Sequence, residues 1–453
     1  MMNLPPQVNT ALELLMASGY EAFLVGGSVR DYVRENRQGS DWDITTSALP
    51  EEVKRVFSDY HIIETGLKHG TVTVVIDQEP LEITTYRIDG SYSDHLRPDS
   101  VSFTRSLLED LKRRDFTMNA LAYNPVTGVV DLVGGKEDIA ANIVRCVGEP
   151  DRRFREDALR ILRALRFASV FKMEIEPKTA SAVHSNKELL KEIAVERIQA
   201  ELTKMLCGSG VNQILREFAD VISVVIPEIE PMFGFEQCNP HHNSDVWNHT
   251  IKVVSNAPAD PVLRWTALLH DIGKPHCFSV DESGVGHFYR HASISTEIAE
   301  RVLKRLRFDN ESKDRILLLV KNHDTPLPLD DKGVKRLMNR LGKGAARELL
   351  EIHRADTAGQ DMSCAYRYAE FDAVQSLMEQ ILNEDECFSL KDLAINGNDV
   401  LAKGLRGKQV GVALQRSLDA VIDGIVSNEQ RELLAFVDHI LDEYLEDNIK
   451  MAQ

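Results

Sequence analysis

The stretch Phe23-Leu24-Val25-Gly26-Gly27-Ser28-Val29-Arg30-Asp31 passes from an apolar run through two glycines into a helix-like pattern. It predicts a buried strand over residues 22–26, a tight turn at the glycine pair and a helix after the turn. Such a turn directs backbone N–H groups and the positive end of a helix toward an anion. We expect that anion to be a triphosphate.

A pair of carboxylates follows shortly after this stretch, in Asp41-Trp42-Asp43. Alternate residues of a strand point to the same face, so Asp41 and Asp43 are expected to leave the strand together. Two carboxylates close to bound phosphates are suited to Mg²⁺. Gly-Gly turns and Asp-x-Asp turns are each common, and it is their order in the chain that gives the prediction its weight.

Together the two motifs resemble the nucleotidyltransferase superfamily that shares the DNA polymerase beta head. Within that superfamily, Gly-Gly-x-Val-Arg-Asp and Asp-x-Asp are similar to motifs of the bacterial tRNA nucleotidyltransferase and poly(A) polymerase family. The resemblance implies that Asp41 and Asp43 are catalytic and bind two Mg²⁺ ions. It also implies that Gly26, Gly27 and Arg30 bind the triphosphate.

Residues 113–121 read Arg113-Arg114-Asp115-Phe116-Thr117-Met118-Asn119-Ala120-Leu121 and resemble a second signature of that family. Arginine pairs bidentately with phosphate oxygens, and an aspartate accepts a hydrogen bond from a ribose 2′-hydroxyl. The resemblance implies that Arg114 binds the triphosphate, Asp115 the ribose and Asn119 the nucleotide. The structural alternative is a basic helix start with a capping aspartate.

Residues Glu156-Asp157-Ala158-Leu159-Arg160 open a predicted helix over 156–171 whose apolar positions form one stripe. Asp157 and Arg160 would lie side by side on the other face, where an isolated pair is usually an ordinary ion pair. Their position matches the Glu-Asp-x-x-Arg motif that the resembled family uses as a protein template for the incoming base. A carboxylate beside a guanidinium complements the amino group and ring acceptors of cytosine and adenine. Uracil and guanine present a carbonyl where the amino group should be, so they would set an oxygen against Asp157.

Three further strand-like runs, at 61–65, 71–77 and 81–87, predict a small mixed sheet with helices against it. Glu82 in the last run is either a third acidic residue near the metals or an exposed strand residue. Residues 88–104 are rich in Gly, Ser, Asp and Pro and predict a mobile loop. In the resembled family a flexible loop here helps to switch the pocket from cytidine to adenosine, which implies an enzyme that is not restricted to cytidine.

Histidines and aspartates recur in or beside predicted helices of the second half of the chain. A lone histidine is more often a core or surface residue than a ligand, but the order His, His-Asp, His, His, Asp resembles the HD phosphohydrolase superfamily. Imidazole and carboxylate groups suit a divalent transition metal that activates water against a phosphoester. The metal is not identified by the sequence. The resemblance implies His249, His270, Asp271 and Asp356 as ligands of a first ion, with His291 and His323 as candidates for a second.

The length of 453 residues predicts several domains, and the net charge of −18 argues against non-specific binding of nucleic acid by the whole surface. A local cluster of arginines that includes Arg163 and Arg166 is suited instead to phosphates of a nucleotide or RNA. We expect an α+β protein with four parts: a mixed-sheet nucleotidyltransferase head over 1–148, an all-α neck and body over 149–240, an HD domain over 241–360 and a tRNA-binding helical tail over 361–453.

The resemblance implies an enzyme that adds CCA to the 3′ end of tRNA from CTP and ATP, with an accessory metal-dependent phosphohydrolase site. A poly(A) polymerase and an enzyme that adds only the terminal A share the head motifs and stay open. A phosphohydrolase of RNA ends or nucleotides is the alternative from another class. The sequence shows no membrane-spanning run or signal peptide, so we expect a cytoplasmic protein. It does not predict the oligomeric state.

Overall fold

The computed structural model describes residues 2–35, 42–64, 66–67, 70–90, 100–238, 244–384 and 386–451, with side chains up to residue 443. The chain divides into two compact units. The first comprises Met1–Glu230 with Lys304–Phe308, and the second comprises Pro231–Leu303 with Asp309–Gln453. Within the described ranges no helix is both long and apolar enough to cross a membrane.

The first unit is built on a mixed sheet. Its strands are β1 (Ala22–Val25), β2 (Asp43–Thr46), β3 (His61–Ile63), β4 (Thr71–Ile76), β5 (Glu79–Thr85), β6 (Arg87–Asp89), β7 (Val101–Phe103), β8 (Leu121–Asn124), β9 (Gly128–Asp131), β10 (Ile143–Val144) and β11 (Glu174–Ile175). Seven of them form one sheet in the order β3-β4-β5-β2-β1-β8-β9. Strands β2 and β5 are parallel, and the other neighbouring pairs are antiparallel. The predicted small mixed sheet is confirmed.

The predicted loop over 88–104 is wrong at its two ends, because β6 and β7 pair as an antiparallel ladder with Ile88 opposite Ser102. The pairing satisfies backbone N–H and C=O groups that a loop would leave to water. Residues 91–99, in the middle of the predicted loop, lie outside the described residues.

Helices cover the sheet and continue the first unit beyond it. They are α1 (Pro6–Ala17), α2 (Gly27–Glu35), α3 (Pro50–Val56), α4 (Leu107–Lys112), α5 (Gly135–Ala141), α6 (Pro150–Glu156), α7 (Leu159–Phe171), α8 (Pro177–Asn186), α9 (Val195–Leu206), α10 (Val211–Glu217) and α11 (Ala219–Val225). Prolines occupy the first turn of α3, α6 and α8, where the missing N–H group has no intrahelical partner to lose. The apolar stripe of α7 is buried, and this helix packs against α9.

The second unit is mostly helical. It contains α12 (Val246–Asn256), α13 (Pro261–Leu269), most of α14 (His291–Arg305), α15 (Asn310–Asn322), α16 (Asp331–Leu341), α17 (Lys343–Gly359), α18 (Arg367–Asn383), α19 (Gly397–Ala402), α20 (Lys408–Ile422) and α21 (Gln430–Met451), with a two-stranded ladder of β12 (Ser279–Val280) and β13 (Gly286–His287). Asp245 and Asp260 cap α12 and α13 by accepting hydrogen bonds from the first-turn N–H groups of Asn248 and Leu263. Helix α12 packs against α17, and α13 packs against both α15 and α17.

Candidate functional site

The first candidate site begins at the turn between β1 and α2. The chain leaves the buried strand at Val25, adopts a left-handed φ of 79° at Gly26, and enters α2 at Gly27. A Cβ atom at Gly26 would lie 3.4 Å from Asp43 Oδ2 and 3.8 Å from Arg114 Nη1. The predicted strand, turn and helix are confirmed, and the absence of a side chain lets the turn approach a carboxylate and a guanidinium together.

Asp43 is the exposed first residue of β2 and lies opposite Val25 in the antiparallel ladder. Asp41 lies outside the described residues, so its predicted position on the same face stays a prediction. The register of β2 with β5 pairs Thr45 with Thr84, and alternation along both strands then puts Asp43 and the exposed Glu82 on one face of the sheet. A cleft of about 200 Å³ adjoins this face and is lined by Val25, Asp43, Ile44, Thr45, Thr71, Thr84, Arg87, Arg113 and Arg114.

Arg114 links the acidic groups around this cleft. Its Nη2 atom lies 3.6 Å from Asp110 Oδ2. Burial lowers the pKa of Arg114, while the carboxylates of Asp110, Asp43 and Asp115 oppose that effect. The guanidinium is therefore held by attraction to three acids, one of which belongs to the predicted metal site.

Asp115 is buried and accepts hydrogen bonds on both carboxylate oxygens. Arg163 donates to Oδ2 from Nε at 2.9 Å and from Nη2 at 2.5 Å, and Asn119 Nδ2 and the Phe116 N–H group donate to Oδ1 at 3.0 and 2.8 Å. Burial alone would raise the pKa of Asp115, but Arg163 and Asn119 lower it to about 2. The predicted ribose ligand is thus an ionised group whose acceptor positions are already in use.

Arg30 and Asn119, both predicted to contact the nucleotide, touch each other. Arg30 Nη1 donates to Asn119 Oδ1 at 2.7 Å, and its Nη2 atom lies 2.9 Å from Asp31 Oδ1. The guanidinium also lies over the ring of Phe171, 4.6 Å from its centroid. A phosphate contact by Arg30 stays a prediction.

The single predicted helix over 156–171 is wrong. Helix α6 ends at Glu156, Asp157 has extended dihedrals of φ −138° and ψ 102°, and α7 begins at Leu159. The reason is local, because the Asp157 carboxylate accepts a hydrogen bond from the N–H group of Leu159 at 3.1 Å. Short acidic side chains compete with the helix for backbone donors in this way.

Asp157 and Arg160 consequently do not lie side by side on one helix face. Arg160 Nη1 donates to Glu156 Oε2 at 3.0 Å, and its Nη2 donates to the carbonyl oxygen of Arg113 at 3.1 Å. Asp157 Oδ2 instead lies 3.7 Å from Arg197 Nη2. Burial raises the pKa of Asp157, and Arg197 and Arg160 partly offset that rise.

Two further predicted phosphate ligands belong to the same helix. Arg163 is paired with Asp115, and Arg166 Nη1 lies 3.1 Å from Glu201 Oε1. Arg197 is a neighbour of the site that the sequence did not identify. Its helix, α9, looks like an ordinary amphipathic helix with spaced charges, and only the packing of α7 on α9 brings it to Asp157.

The second candidate site lies in the second unit, where five helix positions converge. His249 is in α12, His270 and Asp271 directly follow α13, His291 begins α14, His323 directly follows α15 and Asp356 is in α17. His249 Nε2 lies 2.9 Å from Asp356 Oδ1, and His270 Nε2 lies 3.2 Å from Asp271 Oδ2. The structure therefore brings all six predicted ligands together.

Asp271 divides these ligands into two groups. Its Oδ2 atom faces His249 and His270, at 3.5 and 3.2 Å from their Nε2 atoms. Its Oδ1 atom faces His291 and His323, at 3.5 and 3.6 Å from their Nε2 atoms. One carboxylate is thus shared between two sets of imidazoles.

The histidine rings are oriented by backbone carbonyl groups. The Nδ1 atoms of His270, His291 and His323 lie 2.8, 2.9 and 2.7 Å from carbonyl oxygens three residues earlier in the chain. Because a carbonyl only accepts, each Nδ1 carries a proton, and each Nε2 atom faces the cluster, where it could bind a metal ion once it is deprotonated. His291 Nε2 and His323 Nε2 are 3.1 Å apart, a separation at which two neutral rings with protonated Nδ1 atoms would repel each other and a shared cation would stabilise them.

The charges of the cluster also favour a cation. Burial lowers the pKa of His270, but Asp271 and Asp356 raise it more, to about 10. Burial raises the pKa of Asp271, whereas His270 and Lys274 bring it well below its ordinary value. These buried groups attract positive charge, and their oxygen and imidazole donors fit the divalent transition metal that the sequence predicts.

A cavity of about 480 Å³ opens beside this cluster. Its lining includes Asp271, His291, His323 and Asp356 together with residues that the sequence did not single out. Among these, Gln360 Nε2 donates to Asp356 Oδ2 at 2.7 Å. Others are Tyr289, Arg290 and Arg367, which come from loop and helix ends that no spacing rule connects with the histidines.

Family models match three parts of the chain. Residues 22–145 match the poly A polymerase head domain, residues 172–232 match a model described as the probable RNA and SrmB-binding site of polymerase A, and residues 281–437 match a model described as tRNA nucleotidyltransferase domain 2, putative. The first of these covers the whole β1, β2 and Arg114 region of the first site.

Several relatives carry the name CCA-adding enzyme. The one from Lactobacillus johnsonii is 32% identical over 96% of this chain and 98% of its own, and the one from Enterococcus faecalis is 33% identical over 93% and 92%. The one from Lactobacillus helveticus is 50% identical over a shorter match of 52% of this chain and 60% of its own.

The solved structure of the Bacillus stearothermophilus CCA-adding enzyme in complex with CTP is also similar. It is 28% identical, covers 98% of this chain and 100% of that chain, and has a TM-score of 0.71. The matches to the Lactobacillus johnsonii and Enterococcus faecalis relatives and to this structure run through the head and the helical remainder alike. The chain belongs to the CCA-adding enzyme family of tRNA nucleotidyltransferases.

Proposed function

We propose that this chain adds cytidine, cytidine and adenosine in turn to tRNA 3′ ends, using CTP and ATP and no nucleic-acid template. The observation that carries the proposal is the break at Asp157, which leaves a carboxylate near Arg197 and within the electrostatic influence of Arg160 and Arg163. Relatives named CCA-adding enzymes over nearly the whole chain, and a similar structure that holds CTP, support these substrates.

Base selection follows from donors and acceptors. The Asp157 carboxylate accepts a hydrogen bond from the amino group of cytosine or adenine, and the Arg160 guanidinium donates hydrogen bonds to the adjacent ring acceptors. Uracil and guanine set a carbonyl oxygen against Asp157, which brings two acceptors together and leaves the carboxylate without the hydrogen bond that the base amino group would donate. Each such mispaired group costs about 1–3 kcal/mol.

Arg160 contributes to this selection through its fixed position. Glu156 and the carbonyl oxygen of Arg113 hold its guanidinium, so its orientation does not depend on Asp157. The Arg160 side chain is ordered in the folded protein, so binding of a base does not carry the entropic cost of fixing it. This preorganisation favours bases that match the fixed pattern.

The triphosphate is bound by the β1–α2 turn and Arg114, with Arg30, Arg163 and Arg166 as further cations of the head. Asp41 and Asp43 are the groups that would hold Mg²⁺, and the close approach of Gly26 to Asp43 fits a metal-bound phosphate there. When bound, two Mg²⁺ ions lower the pKa of the primer 3′-hydroxyl and neutralise the leaving pyrophosphate. For Asp115 to accept a ribose hydroxyl, it must exchange one of its bonds to Arg163 or Asn119.

The metal role of Asp43 is tested by Asp43→Ala in an assay of nucleotide addition to tRNA that lacks CCA. Addition should fall to background while the affinity for tRNA, measured by filter binding, stays within about twofold of wild type. The matched control is Asp59→Ala, because Asp59 is an exposed acid of the same unit that does not line the cleft. Addition near the wild-type rate in Asp43→Ala would refute the proposal.

A second function is favoured by the histidine cluster of the second unit. We propose that His249, His270, Asp271 and Asp356 hold one divalent metal ion, that His291 and His323 with the other oxygen of Asp271 hold a second, and that the site hydrolyses a phosphoester. The support is the orientation of three Nε2 atoms toward the cluster by backbone carbonyls and the 3.1 Å separation of two of them. When bound, such ions activate a water molecule for attack on phosphorus.

The two activities can be separated by crossed variants. His270→Ala and dialysis against a chelator should abolish phosphoester hydrolysis and lower bound transition metal, measured by plasma emission, but leave CCA addition in restored Mg²⁺ intact. Asp43→Ala should abolish CCA addition but leave phosphoester hydrolysis and bound transition metal intact. Wild-type metal content and hydrolysis in His270→Ala would contradict the second proposal without affecting the first.

A further inference from the structure

Two stacked aromatic rings lie near the end of α7, outside the cleft beside Asp43. Phe167 and Phe171 are one helical turn apart, and their rings are within 9° of parallel with centroids 5.8 Å apart. Phe167 is buried and Phe171 is half-buried. The buried Phe116 ring packs edge to face with Phe167, with 5.7 Å between the centroids. These contacts fix the ring pair of Phe167 and Phe171, and neither member lines the cleft.

Two arginines of α2 lie over the ring pair. Arg30 Cζ is 4.6 Å from the centroid of the Phe171 ring and 5.3 Å from that of Phe167. Arg34 Cζ is 4.4 Å from the Phe171 centroid, and Arg34 Nη2 donates to the Phe171 carbonyl oxygen at 3.4 Å. A guanidinium over an aromatic ring is attracted by the negative potential of the ring face. Phe171 is therefore the residue of α7 that holds two cations of α2.

The ring attracts Arg30 without using its hydrogen-bond donors. Arg30 Nε and Nη2 contact Asp31 Oδ1, both at 2.9 Å, and Nη1 donates to Asn119 Oδ1 at 2.7 Å. Each terminal nitrogen of a guanidinium carries a second N–H group beyond these contacts. A Cβ atom at Gly27 would lie 3.5 Å from Arg30 Nη2, which puts that end of the guanidinium beside the β1–α2 turn. The Phe171 ring thus holds the plane of Arg30 and takes none of the N–H groups that a phosphate at the turn would need.

The same ring pair contacts two more of the predicted phosphate ligands. Arg166 Cζ lies 4.1 Å and Arg163 Cζ lies 5.3 Å from the Phe167 centroid. Each of these arginines also has a carboxylate partner, Glu201 for Arg166 and Asp115 for Arg163. An uncharged ring attracts a cation without competing for the hydrogen bonds to such a carboxylate. The ring pair is therefore a common support for guanidinium groups of α2 and α7.

We infer that Phe171 is a positioning residue for nucleotide addition, which acts through Arg30. The inference rests on the proposed function, in which Arg30 contacts the triphosphate, and it adds the group that sets the place of Arg30 relative to α7. Helix α7 also carries Arg160 of the proposed base template near its start. The Phe171 ring therefore fixes the triphosphate end of a bound nucleotide relative to its base end. Phe171 itself needs no contact with the substrate.

The test uses the full chain and two substitutions of the Phe171 ring. Phe171→Leu keeps an apolar side chain but removes the aromatic face. On tRNA that lacks CCA, we expect KM for CTP to rise about fivefold with kcat within about twofold of wild type, because Arg30 contacts the phosphates in the ground state and in the transition state alike. Phe171→Tyr keeps the ring and should retain the wild-type KM. A purely structural loss would reduce the folded fraction, which lowers the apparent kcat and leaves KM unchanged.

Base preference and equilibrium binding give two further readouts. Because every nucleotide carries the same triphosphate, the ratio of kcat/KM for CTP to that for UTP should stay within about twofold of the wild-type ratio in Phe171→Leu. Equilibrium dialysis with labelled CTP should show the same rise of about fivefold in Kd. Phe57→Leu is the matched control, because Phe57 is a buried ring of the same unit that packs on Tyr60 and does not line the cleft. Its KM and Kd should stay at the wild-type values.

A double-mutant cycle shows whether Phe171 acts through Arg30. Arg30→Gln alone should raise KM for CTP about 10-fold or more, because a charged hydrogen bond to the triphosphate is lost. In the Arg30→Gln background, Phe171→Leu should change KM by less than about twofold. A rise of the full size in both backgrounds would overturn the inference, since the ring would then act on some other group.

The outcomes also separate this inference from the proposed function. A raised KM in Arg30→Gln with a wild-type KM in Phe171→Leu would overturn the inference and leave the phosphate contact of Arg30 standing. A wild-type KM in Arg30→Gln would refute that contact and the inference with it. Equal rises of KM in Phe171→Leu and Phe171→Tyr would overturn the role of the aromatic face, because both variants would then report packing alone.

Discussion

Arg160 Nη1 lies 3.0 Å from Glu156 Oε2, so the guanidinium of the proposed base template is held by Glu156 and not by its template partner Asp157. Both side chains of the Glu156–Arg160 ion pair are largely buried, at 13% and 10% exposure. A charge-assisted hydrogen bond in such surroundings is stronger than one at the surface. We therefore expect Glu156 to act as a positioning residue in the proposed base selection.

Replacement of Glu156 by glutamine tests this role. Glu156→Gln keeps the shape but removes the charge that holds Arg160, and we expect kcat/KM for CTP and ATP to fall by about 10- to 100-fold. The kcat/KM values for UTP and GTP should fall less, so the incorporation of these nucleotides relative to CTP and ATP should rise. Single-nucleotide incorporation kinetics measure both effects. Arg152→Ala removes a different, exposed partner of Glu156 and should change neither value by more than about twofold. Unaltered discrimination in Glu156→Gln would show that Arg160 needs no such support.

The pH dependence of CTP affinity follows from Asp157. Burial raises the pKa of this carboxyl group above its ordinary value, and only the ionised form accepts the cytosine amino group without a competing proton. On acidification, wild-type affinity should begin to fall at a pH above the titration range of an ordinary aspartate, and more steeply than that of Asp157→Asn, which has no carboxyl group to protonate. Equilibrium dialysis with labelled CTP gives the two curves, and their difference cancels the titration of CTP itself. Parallel curves would exclude an ionised Asp157 as the acceptor.

Asp115 should stabilise the first unit in a pH-dependent way. Its pKa is about 2 in the folded protein, below the ordinary value of 3.8, so its contribution is fully present above about pH 4 and is lost as pH falls toward 2. We expect Asp115→Asn to lower the free energy of unfolding at pH 7 by about 2 kcal/mol. Urea unfolding at pH 7 and at about pH 3 measures the change, which should be smaller at the lower pH. An equal loss at both values would indicate a packing effect instead of the charge.

The sequence predicts the head best where local chemistry decides the structure. The turn at Gly26 needs a left-handed φ, and the apolar run before it is a buried strand, so the motif alone predicts strand, turn and helix. The six candidate metal ligands of the second unit were also chosen from residue type and order, and the structure brings them together, while their binding of a metal stays a prediction. Neither prediction required knowledge of distant contacts.

Other features depend on contacts that a linear pattern does not contain. The apolar residues keep a helical spacing through 156–171, but the Asp157 carboxylate accepts a hydrogen bond from the Leu159 N–H group and the helix is interrupted there. Arg197 reaches Asp157 only because α7 packs against α9. The aromatic and cationic rim of the second cavity, with Tyr289 and Arg367, is assembled from segments far apart in the chain.

Gly359 controls the geometry of the histidine cluster. A Cβ atom there would lie 3.0 Å from both Nδ1 and Cε1 of the buried His249 ring, in the interface between α12 and α17. Gly359→Ala should therefore displace His249, lower the affinity of the proposed metal site for a divalent ion by about 10-fold or more, and destabilise the unit by about 1–3 kcal/mol. Chelator competition and thermal unfolding measure the two effects.

The control for that variant is Gly411→Ala in α20. A Cβ atom at Gly411 meets nothing within 4 Å, so the substitution should stabilise the helix by up to about 1 kcal/mol and leave metal affinity unchanged. Wild-type metal affinity in Gly359→Ala would mean that His249 tolerates the shift or is not a ligand.

The most direct test of the proposed base template is an incorporation assay with tRNA that lacks CCA. Each of CTP, ATP, GTP and UTP is supplied alone, and CTP and ATP are then supplied together. If Asp157 and Arg160 select the base, CTP alone extends the tRNA by cytidines, the pair completes CCA, and GTP and UTP are incorporated at least 10-fold less efficiently. Incorporation of GTP or UTP as readily as CTP and ATP would contradict selection by these two residues.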